Sequence, residues 1–414
     1  MIRVPWKIAG WAGMLAPAIL FAQPILGPPQ TLDTRPLIRI PGVMDLQQDG
    51  LEDLIVGSRT GDSGFVDIWV GASGGWQHDT RLTPGPVMGM AVCPPTADTL
   101  SLLLLGVGSA TGVEIQRWQY RPSTGWVGPV ILLQDTLSFS PVHCLQDSLV
   151  VLLGDAFVRI ARQVGDTLRV VAEASPTETY DVAAVDLNGD GLEDLVVATA
   201  GGVFLMYPGA GGNLDSTRML PVPGHLPFQV ATGDINQDGI PDVVLLTGAR
   251  SLFWLPGPQM DTLFPVDSGP VNAMAVDTVS RPAAILSTHP VPGGQGILQA
   301  HVLDPRVGWQ VTVLDSLNPY PVPHQLMMGE QWLVRAFPAA LVVYPRRTTL
   351  VQEGFPSPRL VTRAWRHRPR KGYRSWVSPL GRRGRYVPSR PMPPGIWFLL
   401  PERPSDPVIR LVVP

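Results

Sequence analysis

Asp186-Leu187-Asn188-Gly189-Asp190-Gly191-Leu192-Glu193-Asp194 is the stretch on which the reading of the whole chain turns. Oxygen-bearing side chains fall at positions 1, 3, 5 and 9 of it (Asp186, Asn188, Asp190, Asp194), with glycine at 6 and a hydrophobe at 7. Such spacing suits a hard cation, because a tight loop turns alternate side chains inward, Gly191 permits the sharp bend, and the Leu192 carbonyl can add a main-chain oxygen. An EF-hand would need a bidentate Glu at position 12, where this chain has Val197 inside an apolar run. The donor set therefore closes at Asp194 and a strand begins at Leu195, so the stretch is a loop between strands.

The same phrase occurs twice more. Asp234, Asn236, Asp238, Gly239, Ile240 and Asp242 precede Val243-Val244-Leu245-Leu246; Asp45, Gln47, Asp49, Gly50, Leu51 and Asp53 precede Leu54-Ile55-Val56. The first aspartates lie 141 and 48 residues apart, and 141 is three periods of 47. One such loop is an ordinary Asp-Gly turn; three on one period make a repeat protein.

Composition agrees. The 414 residues include 43 Gly and 45 Pro, too many for helical architecture and suited to short strands broken by turns. Each copy can be traced through a fixed phase point, at Asp45, Cys93, Cys144, Asp186, Asp234, Asp277 and Gly329. An uninterrupted apolar strand follows each point (Leu54–Val56, Leu102–Leu105, Leu149–Leu153, Leu195–Val197, Val243–Leu246, Ala283–Leu286, Trp332–Val334), as expected where both faces of a sheet are covered. A third strand often carries an aromatic, and a Gly- or Pro-rich hairpin leads to a fourth. Seven units of four short strands predict an all-β chain, a seven-bladed β-propeller over residues 37–354.

The three loops, each followed by an apolar strand, resemble the FG-GAP/VCBS repeat family, which includes the propeller of integrin α-chains. The resemblance implies a propeller that is non-enzymatic in most members, with calcium in these loops. Carried onto this sequence, the ligands would be Asp45, Gln47, Asp49, Asp53 and the Leu51 carbonyl; Asp186, Asn188, Asp190, Asp194 and the Leu192 carbonyl; and Asp234, Asn236, Asp238, Asp242 and the Ile240 carbonyl. That makes up to three Ca2+ sites. Gln47 replaces the usual Asp or Asn, and its longer neutral amide makes the first site the weakest expected. The other four blades lack the carboxylates, and no calcium is implied there.

The chain ends carry different signals. Arg3 and Lys7 followed by apolar Ile8–Phe21 and the small residue Ala22 read as a signal peptide over residues 1–22, too short in its apolar run to span a bilayer comfortably. A Pro-rich lead-in, residues 23–36, follows. Residues 359–390 hold 11 of the 31 Lys and Arg and no acid, which leaves a balance of −14 on the remainder. An acidic body suits an extracellular cation-bearing protein and argues against nucleic-acid binding there. Leu380-Gly381-Arg382-Arg383, then Pro394-Gly395-Ile396-Trp397-Phe398, then Ile409–Val413 resemble the C-terminal sorting domain of the bacterial type IX secretion system. Residues 355–414 are accordingly read as an Arg/Pro-rich linker and a small β-sandwich-like sorting segment that engages the secretion machinery.

Other candidates are weaker. Gly61-Asp62-Ser63-Gly64 has the look of a serine-protease nucleophile segment, but it sits in a hairpin without a His/Asp pair. The seven histidines, His143, His289 and His324 among them, show no metal-ligand spacing. Cys93 and Cys144 occupy one phase in adjacent units. A disulfide is conceivable in an exported protein; two buried thiols are the alternative, since equivalent points on neighbouring blades can exceed the limit of about 7 Å between Cα atoms. Trp76, Trp126 and Trp309, at hairpin ends, are expected to pack between strands more than to stack on sugars.

The expectation is a secreted or outer-surface bacterial protein, calcium-stabilised and without catalytic activity, which binds a protein or glycan partner in an adhesion-like role through its loop-bearing face or central channel. The alternatives are an extracellular polysaccharide lyase or hydrolase on the same scaffold, or an architectural surface protein.

Overall fold

A computed structural model describes residues 25–347 apart from 34–37, 48, 73–74, 94–101, 122–123, 146–148, 281, 291–295, 305–307, 319–324 and 338–339. Beyond these it describes only the backbone of five short strands between 359 and 413. The signal-peptide segment 1–22 and His324 lie outside the described residues. Two compact units are present, Phe21–Thr348 and a second that includes Thr349–Pro414. All regular structure among the described residues is β, and no helix among them is long and apolar enough to cross a membrane.

The first unit is the predicted seven-bladed propeller. Blade one is an antiparallel meander of Ile38–Met44, Asp53–Thr60, Ser63–Ala72 and Gly75–Leu82. Blades two to six repeat it over residues 87–135, 139–174, 179–220, 227–267 and 273–318, and blade seven contributes strands over 325–347. Every phase point read from the sequence falls at, or within one residue of, the end of the first strand of its blade.

Each second strand is apolar throughout because it has no solvent face. Alternate side chains point to opposite sides of a strand, so Leu54 and Val56 enter one core and Ile55 the other, all at 2% exposure or less. The buried apolar residues form seven clusters, each shared by two consecutive blades. Val196, Ala198 and Leu205 of blade four meet Val230, Val243 and Leu245 of blade five. The seventh cluster joins Leu54, Val56 and Trp76 of blade one to Val334, Ala336, Leu341 and Val343 of blade seven. Seven blades with seven shared cores make a closed ring, not an open stack.

The N-terminal bound of the propeller departs from the sequence reading. The Pro-rich stretch taken as a lead-in is part of blade seven. Ile25–Leu26 and Gln30–Asp33 pair antiparallel with Ala340–Arg347 and supply its outer edge, with Gly27 N–H donating to the Pro345 carbonyl at 2.7 Å. An outer strand needs only one partner, so a short Pro-interrupted segment can serve there. Cys93 and Cys144 also differ from the thiol alternative: they form a disulfide, with Cα atoms 5.3 Å apart. The first strands of blades two and three run side by side, which brings equivalent points within bridging reach.

In the second unit a five-stranded backbone sheet contains Tyr373–Val377, Gly395–Pro401 and Ile409–Val413, with the last two paired antiparallel. Gly395-Ile396-Trp397-Phe398 and the terminal valine-rich segment thus both lie in strands.

Candidate functional site

The three acidic loops join the first and second strands of blades one, four and five, so blade topology puts them on one face of the ring. All three build the same turn from their own carboxylates. Position 1 caps the bend: Asp45, Asp186 and Asp234 each accept the N–H of the position-6 glycine (Gly50, Gly191, Gly239) at 2.8, 2.9 and 3.0 Å. Those glycines have φ of 84°, 84° and 88°, a left-handed conformation that costs L side chains energy. Position 5 accepts the N–H of position 7, as in Asp190 to Leu192 at 2.8 Å. In loops four and five the position-3 asparagine also ties to position 5 through Asn188 Nδ2–Asp190 Oδ2 at 3.0 Å and Asn236 Nδ2–Asp238 Oδ2 at 2.9 Å.

Position 9 is a buried clamp. Asp53, Asp194 and Asp242 are 1%, 0% and 0% exposed, and each accepts the N–H of position 2 (Leu46, Leu187, Ile235) at 2.8–2.9 Å. In blades one and five its second oxygen is also taken, by Gly71 and Gly257 N–H at 2.8 Å. Blade four lacks that donor, because the residue in register with Gly71 and Gly257 is Pro208, which has no N–H, and Asp194 Oδ1 is buried without a partner. Burial pushes Asp194 up to about 6; its bond from Leu187 opposes the rise, and the neighbouring charges of Asp190 and Asp186 add to it. Burial likewise raises Asp53 and Asp242 against their main-chain hydrogen bonds.

A hard cation suits loops four and five better than loop one. A buried carboxylate oxygen without a donor is costly, and it is what a cation would coordinate. Loop four has one in Asp194 Oδ1 and loop five one in Asp234 Oδ1. In loop one Asp45 and Asp53 already use both oxygens on main-chain N–H groups. Each loop gathers its carboxylates into one turn, where they bond to its main chain and position 9 acts as a clamp; among the described residues no three of them converge as Asp267, His289 and His301 do.

Glu52, next to that clamp in loop one, has a role the sequence did not suggest. Its carboxylate accepts the N–H groups of Glu330 at 2.6 Å and Gln331 at 2.8 Å, pinning blade seven to blade one. In blade six, which has no acidic loop, the phase-point aspartate meets an arginine. Arg346 Nη2 lies 2.6 Å from Asp277 Oδ1, both buried, while its Nη1 donates to the Gly329 and Glu330 carbonyls. Val43, Glu52, Val276, Thr278, Met327 and Glu330 help line a cavity of about 310 Å³ at this seam. It lies at the first-strand ends, hence on the acidic-loop face.

The remaining candidates resolve simply. Gly61-Asp62 is the turn between the second and third strands of blade one, and Ser63 Oγ donates to the Thr60 carbonyl. Trp76 is 4% exposed, donates to the Glu52 carbonyl and packs on Trp332; Trp126 meets Tyr120 and Trp309 meets Trp254. The histidines hold a surprise. His289 and His301, 12 residues apart, share one face of a hairpin in blade six and meet Asp267 of blade five. Burial holds both imidazoles below their ordinary value, His301 at about 4, against the pull of Asp267. Ser287 lies 2.8 and 2.6 Å from their Nε2 atoms. This is no nucleophilic triad, since Ser287 is fully buried and serine and aspartate both approach Nε2 of the same ring.

Residues 186–245, spanning the acidic loops of blades four and five, match a family model described as an FG-GAP-like repeat. No curated protein matches the chain. Among solved structures, one described as the crystal structure of BBS1N in complex with ARL6DN, soaked with lead, is similar at 15% identity and a TM-score of 0.49, covering 78% of this chain and 97% of that one. The chain is a seven-bladed β-propeller that carries an FG-GAP-like repeat across its fourth and fifth blades.

Proposed function

We propose that this protein is an exported, non-catalytic binding propeller whose acidic loops take up calcium and whose loop-bearing face receives a protein or carbohydrate partner. The observation that carries the reading is the pair of buried, undonated oxygens at Asp194 and Asp234 within loops otherwise fully bonded. Asp186, Asn188, Asp190 and Asp194 would hold one ion, and Asp234, Asn236, Asp238 and Asp242 another. Loop one, with Gln47 at position 3, would hold the weakest. A bound ion supplies positive charge that offsets the clustered carboxylates and stiffens the turn, and binding to the folded state alone adds stability by mass action.

Export is supported by the N-terminal apolar segment and by the Cys93–Cys144 bridge, since disulfides persist in oxidising compartments. The paired strands Gly395–Pro401 and Ile409–Val413 are consistent with a type IX sorting segment. The cavity at the blade one–blade seven seam gives a partner a concave foothold on the loop face.

The test is a glycan array, with pull-down from the outer-membrane fraction of a producing host, run on the mature chain with calcium and with chelator. A saturable ligand retained in calcium and weakened by chelation is expected. Turnover of a bound glycan, or self-association without any ligand, would overturn the reading.

A further inference from the structure

The repeat provides its own comparison at one position. In blades one to six the outer strand places one residue opposite the first buried non-glycine residue of the third strand. That residue is Leu82, Ala174 or Leu220 in blades one, three and four. It is Asp135, Asp267 or Asp315 in blades two, five and six. Two of these aspartates meet an arginine of the next blade. Asp135 lies 3.3 Å from Arg159 Nη1, and Asp315 lies 3.0 Å from Arg335 Nη1, a guanidinium with no exposure at all. Among the described residues no arginine pairs with Asp267. It meets His289 and His301 instead.

We propose that Asp267, His289 and His301 form a binding site for a borderline divalent cation of the zinc class, bridging blades five and six, with Ser287 beside it. The geometry supports it. The donor atoms of the three residues all lie within 4.8 Å of one another, a convergence found for no other such group among the described residues. Asp267 Oδ2 is 3.4 Å from His289 Nε2 and 3.6 Å from His301 Nε2, too long for good hydrogen bonds. Ligands held about 2.0–2.1 Å from a tetrahedral zinc stand roughly 3.3 Å apart, close to these separations. A metal placed among them supplies the positive charge that Arg159 and Arg335 supply at the equivalent interfaces.

The local chemistry favours zinc over calcium. Imidazole nitrogens suit zinc, copper and nickel, whereas calcium takes oxygen ligands. Ser287 Oγ has one proton to offer two ring nitrogens, at 2.8 and 2.6 Å. Gly269 N–H donates to Asp267 Oδ1 at 2.7 Å and so fixes the carboxylate, leaving Oδ2 toward the rings. His289 and Asp267 retain slight exposure, 8% and 20% on their side chains, which gives an ion an entry path.

The test uses the untagged full chain, chelator-stripped and returned to excess calcium so that the oxygen loops do not compete. Zinc is titrated against a chromophoric chelator, and cobalt is added separately to read its ligand-field spectrum. One equivalent of zinc per chain and a cobalt spectrum of low-symmetry nitrogen–oxygen ligation are expected. In His289→Gln and Asp267→Asn, zinc affinity should fall by more than the roughly 10–100-fold that losing an outer partner costs, and the cobalt bands should vanish. Failure of the wild-type chain to bind zinc at micromolar concentration would overturn the proposal, whatever the variants do. So would zinc binding left unchanged in variants that keep the wild-type near-ultraviolet dichroism.

Discussion

The carboxylate of Asp181, on the first strand of blade four, accepts the main-chain N–H of Val230, on the first strand of blade five, at 3.0 Å. One repeat later, Gln229 does the same for the next pair of blades, accepting the Met274 N–H and donating to its carbonyl at 3.2 Å each. Neighbouring first strands are thus joined by side chain-to-backbone bonds as well as by apolar packing. Blade four uses a charged group for this and blade five a neutral one.

That difference gives a pH dependence. Burial raises Asp181 to about 6, against the lowering effect of its bond from Val230. A carboxyl that holds its proton more tightly when folded contributes most below its unfolded value, and the contribution is lost as pH rises toward 6. Asp181→Asn keeps an acceptor for Val230 and removes the charge. It should therefore raise the melting temperature at pH 7–8, by about 2–6 °C for on the order of 1–2 kcal/mol once partial solvent access is discounted. Near pH 4 the variant and the wild type should melt together. Parallel melting curves from pH 4 to 8 check it.

Ring closure predicts a large effect for the strands Ile25–Leu26 and Gln30–Asp33. Deleting residues 25–33 strips the outer strands from Ala340–Arg347 and leaves that strand's outer edge unpaired, a template for association. The truncated protein should melt lower and elute as oligomers in size-exclusion chromatography. A monomer of wild-type stability would show that the ring closes without this segment.

Glu52→Ala should open the same seam from the other side. It leaves the N–H groups of Glu330 and Gln331 without their acceptor, at a cost of about 1–3 kcal/mol each where water cannot replace it. Glu52→Gln, which keeps one acceptor oxygen, should recover part of the loss in urea unfolding.

Removing the disulfide tests the packing of blades two and three. The bridge spans 51 residues, and loop-closure entropy for that length amounts to about 4 kcal/mol. Cys93→Ser with Cys144→Ser should unfold at lower urea, and reduced wild type should match the double variant.

Much of the fold was legible because a propeller repeats its own grammar. The phase points marked the ends of the first strands, and unbroken apolar runs such as Val243–Leu246 announced sheets covered on both faces. The acidic loops were equally plain as turns between strands, because each lies within nine positions. What stayed hidden depends on contacts between distant parts of the chain. Gln30 pairs with Val343 and Glu52 with Gln331, separations that no local pattern encodes. The bridge between Cys93 and Cys144 depends on how closely first strands approach, which spacing along the chain does not report. Asp267, His289 and His301 come from two blades and two strands of a hairpin, so no ligand spacing betrays them.

The loop-bound calcium on which the proposed function rests is tested most directly by isothermal titration of the chelator-stripped chain, beside Asp186→Ala/Asp190→Ala and Asp234→Ala/Asp238→Ala variants. Two tighter sites and a weaker third are expected in the wild type, with one tighter site lost from each variant and the melting-temperature rise in calcium reduced accordingly. Calcium uptake and a thermal shift that both variants retain in full would contradict the account.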